Sequence, residues 1–359
     1  MPPSVAVVTD STAYLPPEEA AGLGIVVVPL QVIVGGRAFD DGVRAGGAEP
    51  GGGGRSGTEP PTGGGPGGTG TAGAGTVGAG DTETAAADAG TAGADGAVPG
   101  GAGAGRRGTR GGGAGGGETV RAFWERTPVT TSRPAPRRFT DAYAEAAAAG
   151  AEAVVSIHLS GKMSGTVEAA RAGAVDSPIP VEVVDSGSVA MGLGFPVLAA
   201  AEAAARGAAR GDVAGAARRR MAETRSFFYL DTLEYLRRGG RIGAAATMLG
   251  SALMIKPLLH ITDGVIAPLE KVRTASRAIA RLEDLAVRAA ADAGPVEVAV
   301  QHISSRPRAE ALAARLPERL PGLVRVVVVE VGAVLGAHAG PGMLGVTVSP
   351  VSPVSPVSA

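Results

Sequence analysis

The chain has 359 residues, of which 45% are hydrophobic and 3% aromatic, with a formal net charge of −1. That length allows two ordinary domains with a sizeable core, while the near-neutral charge offers no long-range attraction to nucleic acid or an anionic membrane. There is no cysteine, which excludes disulfides, thiol nucleophiles and cysteine-ligated zinc. The four histidines, His158, His260, His302 and His338, share no short metal-ligand spacing, so neither metal nor cofactor is expected.

In chain order, Met1-Pro2-Pro3-Ser4 has no basic n-region and no long apolar run follows, so a signal peptide is not expected. No later stretch reaches the roughly 18 apolar residues of a membrane span, and a soluble cytoplasmic protein is the expectation. Val5–Val8 reads as a buried strand opening into Thr9-Asp10-Ser11. Ile25–Val34 reads as a strand that turns at Gly35-Gly36 into Arg37-Ala38-Phe39, a hairpin. Residues 44–117 are almost entirely Gly, Ala, Thr, Pro and Asp; such a segment cannot bury enough apolar surface to offset its ordering entropy, and a disordered surface insertion is expected. The Val-Ser-Pro repeats of residues 350–359 read the same way.

Beyond the insertion, strand and helix alternate. Phe139–Ala149 reads as helix, Ala153–Leu159 as strand, Val167–Ala174 as helix, Val181–Val184 as strand and Val189–Ala208 as a long Ala-rich helix. This rhythm predicts a parallel sheet covered on both faces. From about residue 226 a second unit begins. Its strands are Phe227–Leu230, Leu258–Ile261, Val265–Pro268, Val296–Gln301, Val324–Val329 and Gly345–Val348, with a hairpin signal at Asp263-Gly264. Its helices are Thr232–Arg238, Ala244–Ala252, Ala275–Ala291 and Ala309–Leu316. The expected fold is therefore two α/β domains. An N-terminal parallel-sheet three-layer domain (1–43 and 118–225) precedes a C-terminal mixed-sheet domain (226–349), with a ligand between them.

Four segments carry candidate chemistry: Thr9-Asp10-Ser11-Thr12, Ser160–Thr166, Asp185-Ser186-Gly187-Ser188, and Thr130-Thr131-Ser132-Arg133-Pro134 ahead of a helix. Hydroxyls and free backbone N–H groups at helix starts hold anions. Plain helix capping explains each segment taken singly, and composition alone leaves the two readings open.

The order of motifs resembles the DegV family across nearly the whole chain outside the insertion and tail. The matching pieces include Val7-Val8-Thr9-Asp10-Ser11-Thr12-Ala13, Thr131-Ser132-Arg133-Pro134-Ala135-Pro136, Ser156–Thr166, Val184–Gly194, Asp231–Ile242, Ile255-Lys256-Pro257, Pro268–Arg273 and His338-Ala339-Gly340-Pro341-Gly342. The resemblance implies a protein that holds a long-chain fatty acid between two α/β domains and presents its carboxylate to a separate fatty acid kinase, without being a catalyst itself. It further implies that Thr131 and Ser164 donate to the carboxylate, that His338 completes the polar end, and that Ser132, Gly165 and Thr166 shape it. Arg237, Arg238 and Arg241 would offer a basic surface for the partner, although cations followed by Gly239 also suit an ordinary helix C-terminus.

An apolar slot for the tail is sought along Val197–Ala208 with Met248, Leu249, Leu253 and Met254, residues that equally suit ordinary core. Arg133 stands where the family usually has Gln, Ala135 where it has Ser, Ala339 where it has Thr and Tyr14 where Asp is frequent. The competing readings are an α/β hydrolase or kinase-like enzyme using Ser164 with His338 and Asp10, and a sensor whose acyl occupancy alters partner contacts. No Gly-x-x-x-x-Gly-Lys-Ser/Thr loop or Gly-x-Ser-x-Gly elbow supports the enzyme.

Overall fold

A computed structural model describes residues 3–42, 129–251, 255–291 and 293–351, with residues 249–251 described by backbone alone. The expected disorder of 44–117, the expected slot residues Leu253 and Met254, and tail residues 352–359 lie outside the described residues. Pro350 and Val351, assigned to the tail, are instead ordered: Pro350 closes the last strand, and the Val351 N–H donates to the Pro295 carbonyl.

The N-terminal domain is built on strand β1 (Val5–Asp10), whose apolar run is buried on both faces as a central parallel strand requires. The short helix α1 (Pro17–Gly22) leads to β2 (Val26–Val28), which pairs with β1 in parallel. Here the single strand expected over Ile25–Val34 is two. Pro29 has no N–H to give a ladder, and the chain leaves the parallel sheet to form β3 (Gln31–Val34) of a separate one. Gly35 and Gly36, both with positive φ, turn β3 into β4 (Arg37–Asp40), giving the expected hairpin. Strand β5 (Val129–Ser132) adds to the other edge of β3, so the Thr130–Ser132 segment expected as loop is strand.

Helix α2 (Pro136–Ala148) turns Phe139, Ala142, Tyr143 and Ala146 inward at helical spacing. It is followed by β6 (Ala153–His158), α3 (Thr166–Ala174) and β7 (Val181–Asp185), which complete a parallel sheet of order β2-β1-β6-β7. Helix α4 (Met191–Ala205) is apolar all round and buried almost throughout, as such a helix must be. The next helix, α5 (Arg210–Glu223), escapes the sequence reading because its buried stripe is mainly alanine, with one valine and Arg220.

The C-terminal domain follows with β8 (Arg225–Tyr229), the short α6 (Glu234–Arg238), a 3-10 segment over Gly243–Ser251, β9 (Lys256–Thr262) and β10 (Val265–Val272). Then come α7 (Ala275–Ala290), β11 (Val296–His302), α8 (Arg306–Ala313), α9 (Leu316–Arg319), β12 (Leu323–Glu330), α10 (Ala333–Ala339) and β13 (Leu344–Pro350). The sheet order is β10-β9-β8-β13-β11-β12, with only β11 and β12 parallel. The β9–β10 hairpin turns on Asp263 and Gly264, both at positive φ, as a two-residue hairpin demands. One face of this mixed sheet buries Leu258, Val298 and Val346 against Leu282 and Leu312 of α7 and α8. The opposite face carries Ala299 into the core of the N-terminal domain.

The seam between the domains is also bridged by charge. Arg325 forks onto Glu19 at 2.7 and 3.0 Å and bonds Glu297, which also pairs with Arg220. Because Arg220 is almost fully buried and donates to the Ser349 hydroxyl at 2.6 Å, this chain of alternating charges fixes one helix of the first domain on the last strand of the second.

Beneath the parallel sheet lies a fully buried polar relay. Asp10 accepts from the Thr12 N–H and hydroxyl and from the Leu159 N–H, and its second oxygen lies 3.1 Å from His158 Nδ1. His158 Nε2 meets Ser156 Oγ at 2.7 Å, and Ser156 meets the Tyr143 hydroxyl at 2.9 Å. The Asp-His-Ser order has the hydrogen bonds of a hydrolytic triad, but all three residues have zero exposure, so no substrate reaches the serine. Its work is to tie β1, β6 and α2 together. Asp10→Ala leaves several of these donors dry at about 1–3 kcal/mol each. Urea unfolding is expected to show a loss of at least about 3 kcal/mol; a smaller loss would mean that water takes the carboxylate's place.

Candidate functional site

Between the outward face of the mixed sheet and the N-terminal domain lies a cavity of about 950 Å³, including its open mouth. Its walls are mainly apolar: Leu30, Leu159 and Val189 from the first domain, and Phe228, Ile266 and Leu335 from the second. Ala190, also on the wall, holds φ 55, ψ −141, a backbone conformation rare for any residue with a Cβ.

The polar groups of the mouth come from both domains. Thr131 and Ser132 stand at the end of β5, and Arg133 follows them. Ser164 lies in the turn between β6 and α3. His338 is in the last turn of α10, and Arg241 follows α6. Thr131 Oγ1 lies 2.9 Å from His338 Nε2, and the Ser164 hydroxyl meets that of Thr166 at 2.9 Å. Arg133 crosses Gly165, donating to its carbonyl at 3.4 Å; a Cβ on Gly165 would lie only 2.1 Å from the guanidinium. Arg241 reaches from the C-terminal domain to the Met163 carbonyl at 3.2 Å and donates to Gly239 at 2.7 Å.

His338 is the electrostatic pivot of this mouth. Burial, reinforced by the Arg241 charge, pushes its imidazole down from 6.5 to about 4, so the ring is neutral near neutral pH. Nδ1 is buried against Gly239 and has no hydrogen-bond partner. A dry N–H is a rarer thing in proteins than a dry lone pair, so the hydrogen-bond pattern assigns the proton to Nε2. His338 then donates to Thr131, and the Thr131 hydroxyl proton is left to face the cavity. The mouth therefore presents donors: hydroxyls and two guanidinium groups, with no carboxylate among its lining residues.

What places His338 is a clasp that crosses the domain seam. Asp41, just past β4, accepts from the Val334 N–H at 3.3 Å, from the Tyr14 hydroxyl at 3.1 Å and from the Ser11 hydroxyl at 3.1 Å. The Tyr14 oxygen in turn accepts from the Leu335 N–H at 3.3 Å. The first turn of α10 is thus capped by side chains of the other domain, and Gly332 lets them approach, since a Cβ there would sit 2.6 Å from Asp41. Burial pushes the Asp41 carboxyl up against the opposing effect of these hydrogen bonds, and burial together with the Asp41 charge pushes Tyr14 well up.

The structure thus gathers Thr131, Ser132, Ser164 and His338 at one cavity, with Gly165 and Thr166 immediately behind; Thr166 is buried at the start of α3. The basic trio divides. Arg241 lines the cavity, whereas Arg237 and Arg238 are exposed and paired with Glu234. The slot expected along Val197–Ala208 is not there: that part of α4 packs into the N-terminal core, and its end, near Ala208, is already past the helix. Met248 is likewise buried core beside Leu230 and Leu236. The proposed Ser164–His338–Asp10 constellation does not assemble, because His338 bonds Thr131 and Asp10 bonds His158. Sequence reading passed over Asp41, whose only local cue is an Asp before a turn glycine, and noted Arg133 solely as a departure from family pattern.

Fold and cavity together define a two-domain α/β protein with a mainly apolar chamber whose mouth carries hydroxyls and two arginines. The family model described as "Uncharacterised protein, DegV family" matches residues 4–48 and 119–351, and the chain belongs to that family. A DegV domain-containing protein of Streptomyces coelicolor is 44% identical over 345 residues, 96% of this chain and 98% of the relative. Among solved structures, a DegV family protein of Thermus thermophilus, described for its fatty acid binding, is 25% identical with a TM-score of 0.72, covering 97% of this chain and 99% of that one. DegV of Bacillus subtilis, described as a fatty acid binding protein, is 26% identical with a TM-score of 0.71, covering 97% and 100%.

Two measurements test the clasp and the ring. Asp41→Ala is expected to cost about 1–2 kcal/mol, as loss of a helix cap does, with Asp41→Asn recovering part of it; equal losses would mean the acceptor is not what matters. As pH falls from 6.5 toward about 4, the unfolded chain gains a proton at position 338 that the folded protein resists, so stability declines across that window. In His338→Gln the slope of Tm against pH should flatten there; an unchanged slope would show that the ring does not titrate as a buried group.

Proposed function

We propose that this chain is a lipid carrier that binds one long-chain fatty acid in the seam cavity and presents the carboxylate at its mouth to a separate fatty acid kinase, without itself catalysing a reaction. The observation that carries the reading is the pairing of an apolar chamber with a mouth that offers hydroxyls and arginine cations and no carboxylate. Thr131 and Ser164 donate to the carboxylate, and His338 orients Thr131. Ser132, Gly165 and Thr166 shape the turn around the headgroup, while Arg133 and Arg241 offset its charge. The fatty acid binding described for the Thermus and Bacillus relatives supports the same assignment.

Burial of roughly 15 methylenes at about 0.8 kcal/mol each supplies on the order of 12 kcal/mol before the costs of association. Chain length therefore governs affinity, and the headgroup contacts govern orientation. Arg237 and Arg238, exposed beside the mouth's Arg241 in sequence, are the surface offered to the kinase or its phosphate donor. Among the described residues no helix is long and apolar enough to cross a membrane, and the reading places the protein in the cytoplasm beside its partner.

Native mass spectrometry of the purified protein, followed by extraction of bound lipid, tests this directly. A stoichiometric mass excess matching one fatty acid is expected; a bare mass that persists after incubation with long-chain acids would overturn the reading. Thr131→Ala and Ser164→Ala are each expected to weaken acid binding roughly tenfold, the worth of one hydrogen bond to a charged group, with unfolding midpoints close to the wild type. Unchanged affinity in both would remove the carboxylate from this end of the cavity.

A further inference from the structure

The wall of the cavity formed by the middle of the mixed sheet is not apolar. Ser226 of β8, Gln301 of β11 and Thr347 of β13 share the sheet face that looks into the chamber and line it together. Thr347 lies four residues beyond Met343, which packs with Ala339 next to His338. At the rise of a β-strand, Thr347 is roughly 13 Å along the chain from Met343. With the carboxylate held at Thr131, as the carrier reading has it, these groups are left to face the acyl chain.

The hydrogen bonds among the three leave donors over. The backbone N–H of Met191 donates to Gln301 Oε1 at 2.9 Å, and since a backbone nitrogen can only donate, this fixes the amide with its NH2 toward Thr347. Gln301 Nε2 then donates to Thr347 Oγ1 at 2.8 Å. Thr347 and Ser226 meet at 3.0 Å, a contact that uses one of their two hydroxyl protons. The other hydroxyl proton and the second amide hydrogen have no acceptor among the described residues. Gln301 and Thr347 are almost wholly buried, while Ser226 is half-buried and opens the group to the chamber. A methylene pressed against this group would leave both donors dry, which is unfavourable; an oxygen atom would accept from both.

We propose that Ser226, Gln301 and Thr347 form a second polar station that recognises an oxygen function on the acyl chain, a hydroxyl or keto group, so that the preferred ligand is an oxygenated long-chain acid. This rests on the acyl-binding reading above and adds selectivity within it. A site with donors waiting for a ligand oxygen discriminates strongly against the analogue that lacks it.

The test is competition binding on the full, delipidated chain, with stearate set against hydroxy- and oxo-stearates that move the oxygen along the chain. At least one positional isomer is expected to bind roughly tenfold more tightly than stearate. In Ser226→Ala/Thr347→Val that preference should vanish or reverse. Stearate binding with no isomer preferred, or a preference that survives the double substitution, would overturn this proposal and leave the carrier reading intact. Failure of every acid to bind would overturn both. Should the double variant unfold, Ser226→Ala alone, which removes a half-buried hydroxyl, is expected to narrow the preference, and an unaltered preference there would count against the station.

Discussion

One buried carboxylate governs the arrangement of the whole site. Helix α10 has only seven residues, too few to hold its shape by its own hydrogen bonds. Its first N–H groups are satisfied from the other domain, by Asp41 directly and by Tyr14, whose hydroxyl bonds the same carboxylate. Its last turn is held by the bond between His338 and Thr131. Both ends of the helix are therefore gripped by the N-terminal domain, although the helix belongs to the C-terminal one. The contacts that bridge the seam at this helix are also those that place the imidazole.

The mouth gains its character from what burial does to that imidazole. A charged ring beside Arg241 would repel it and would need water that the packing against Gly239 excludes. Kept neutral, the ring needs no counter-ion and can fix the direction of the Thr131 hydroxyl. Positive charge comes from arginines instead, one from each domain, and each is anchored by a backbone carbonyl on or near the turn before α3. Arginine suits this position because it stays charged when partly desolvated and has donors to spare after one is engaged.

Much of the fold was legible in the sequence because its strands are unbroken Val-rich runs and its turns carry Gly in the places that positive φ demands. The β9–β10 hairpin follows from Asp263-Gly264, and the β3–β4 hairpin from Gly35-Gly36. What escaped has physical reasons. Strand β5 is Val-Thr-Thr-Ser, whose hydroxyls look like a loop until an edge is there to pair with. Helix α10 owes its start to a cap 293 residues away in the chain, so no local signal announces it. Thr131, Ser164 and His338, singled out by the order of motifs, line one cavity, while the chamber itself was sought on the wrong elements. Val197 and Leu198 are as apolar as Phe228 or Ile266, and only the docking of two sheets decides which apolar residues meet each other and which surround a space.

The small sheet β4-β3-β5 carries a last implication. Strands β4 and β5 both run antiparallel to β3, on opposite sides of it, so they run in the same direction. Joining two strands that run in the same direction needs only a dozen or so residues. Residues 43–128 are far in excess of that need, and the energetic penalty of closing a longer connection grows only logarithmically. Natural variation in length, or a reporter domain spliced into this stretch, would leave both strand ends anchored by β3. The two described ends of that connection also carry Asp41 and Thr131, the residues between which the His338 helix is held.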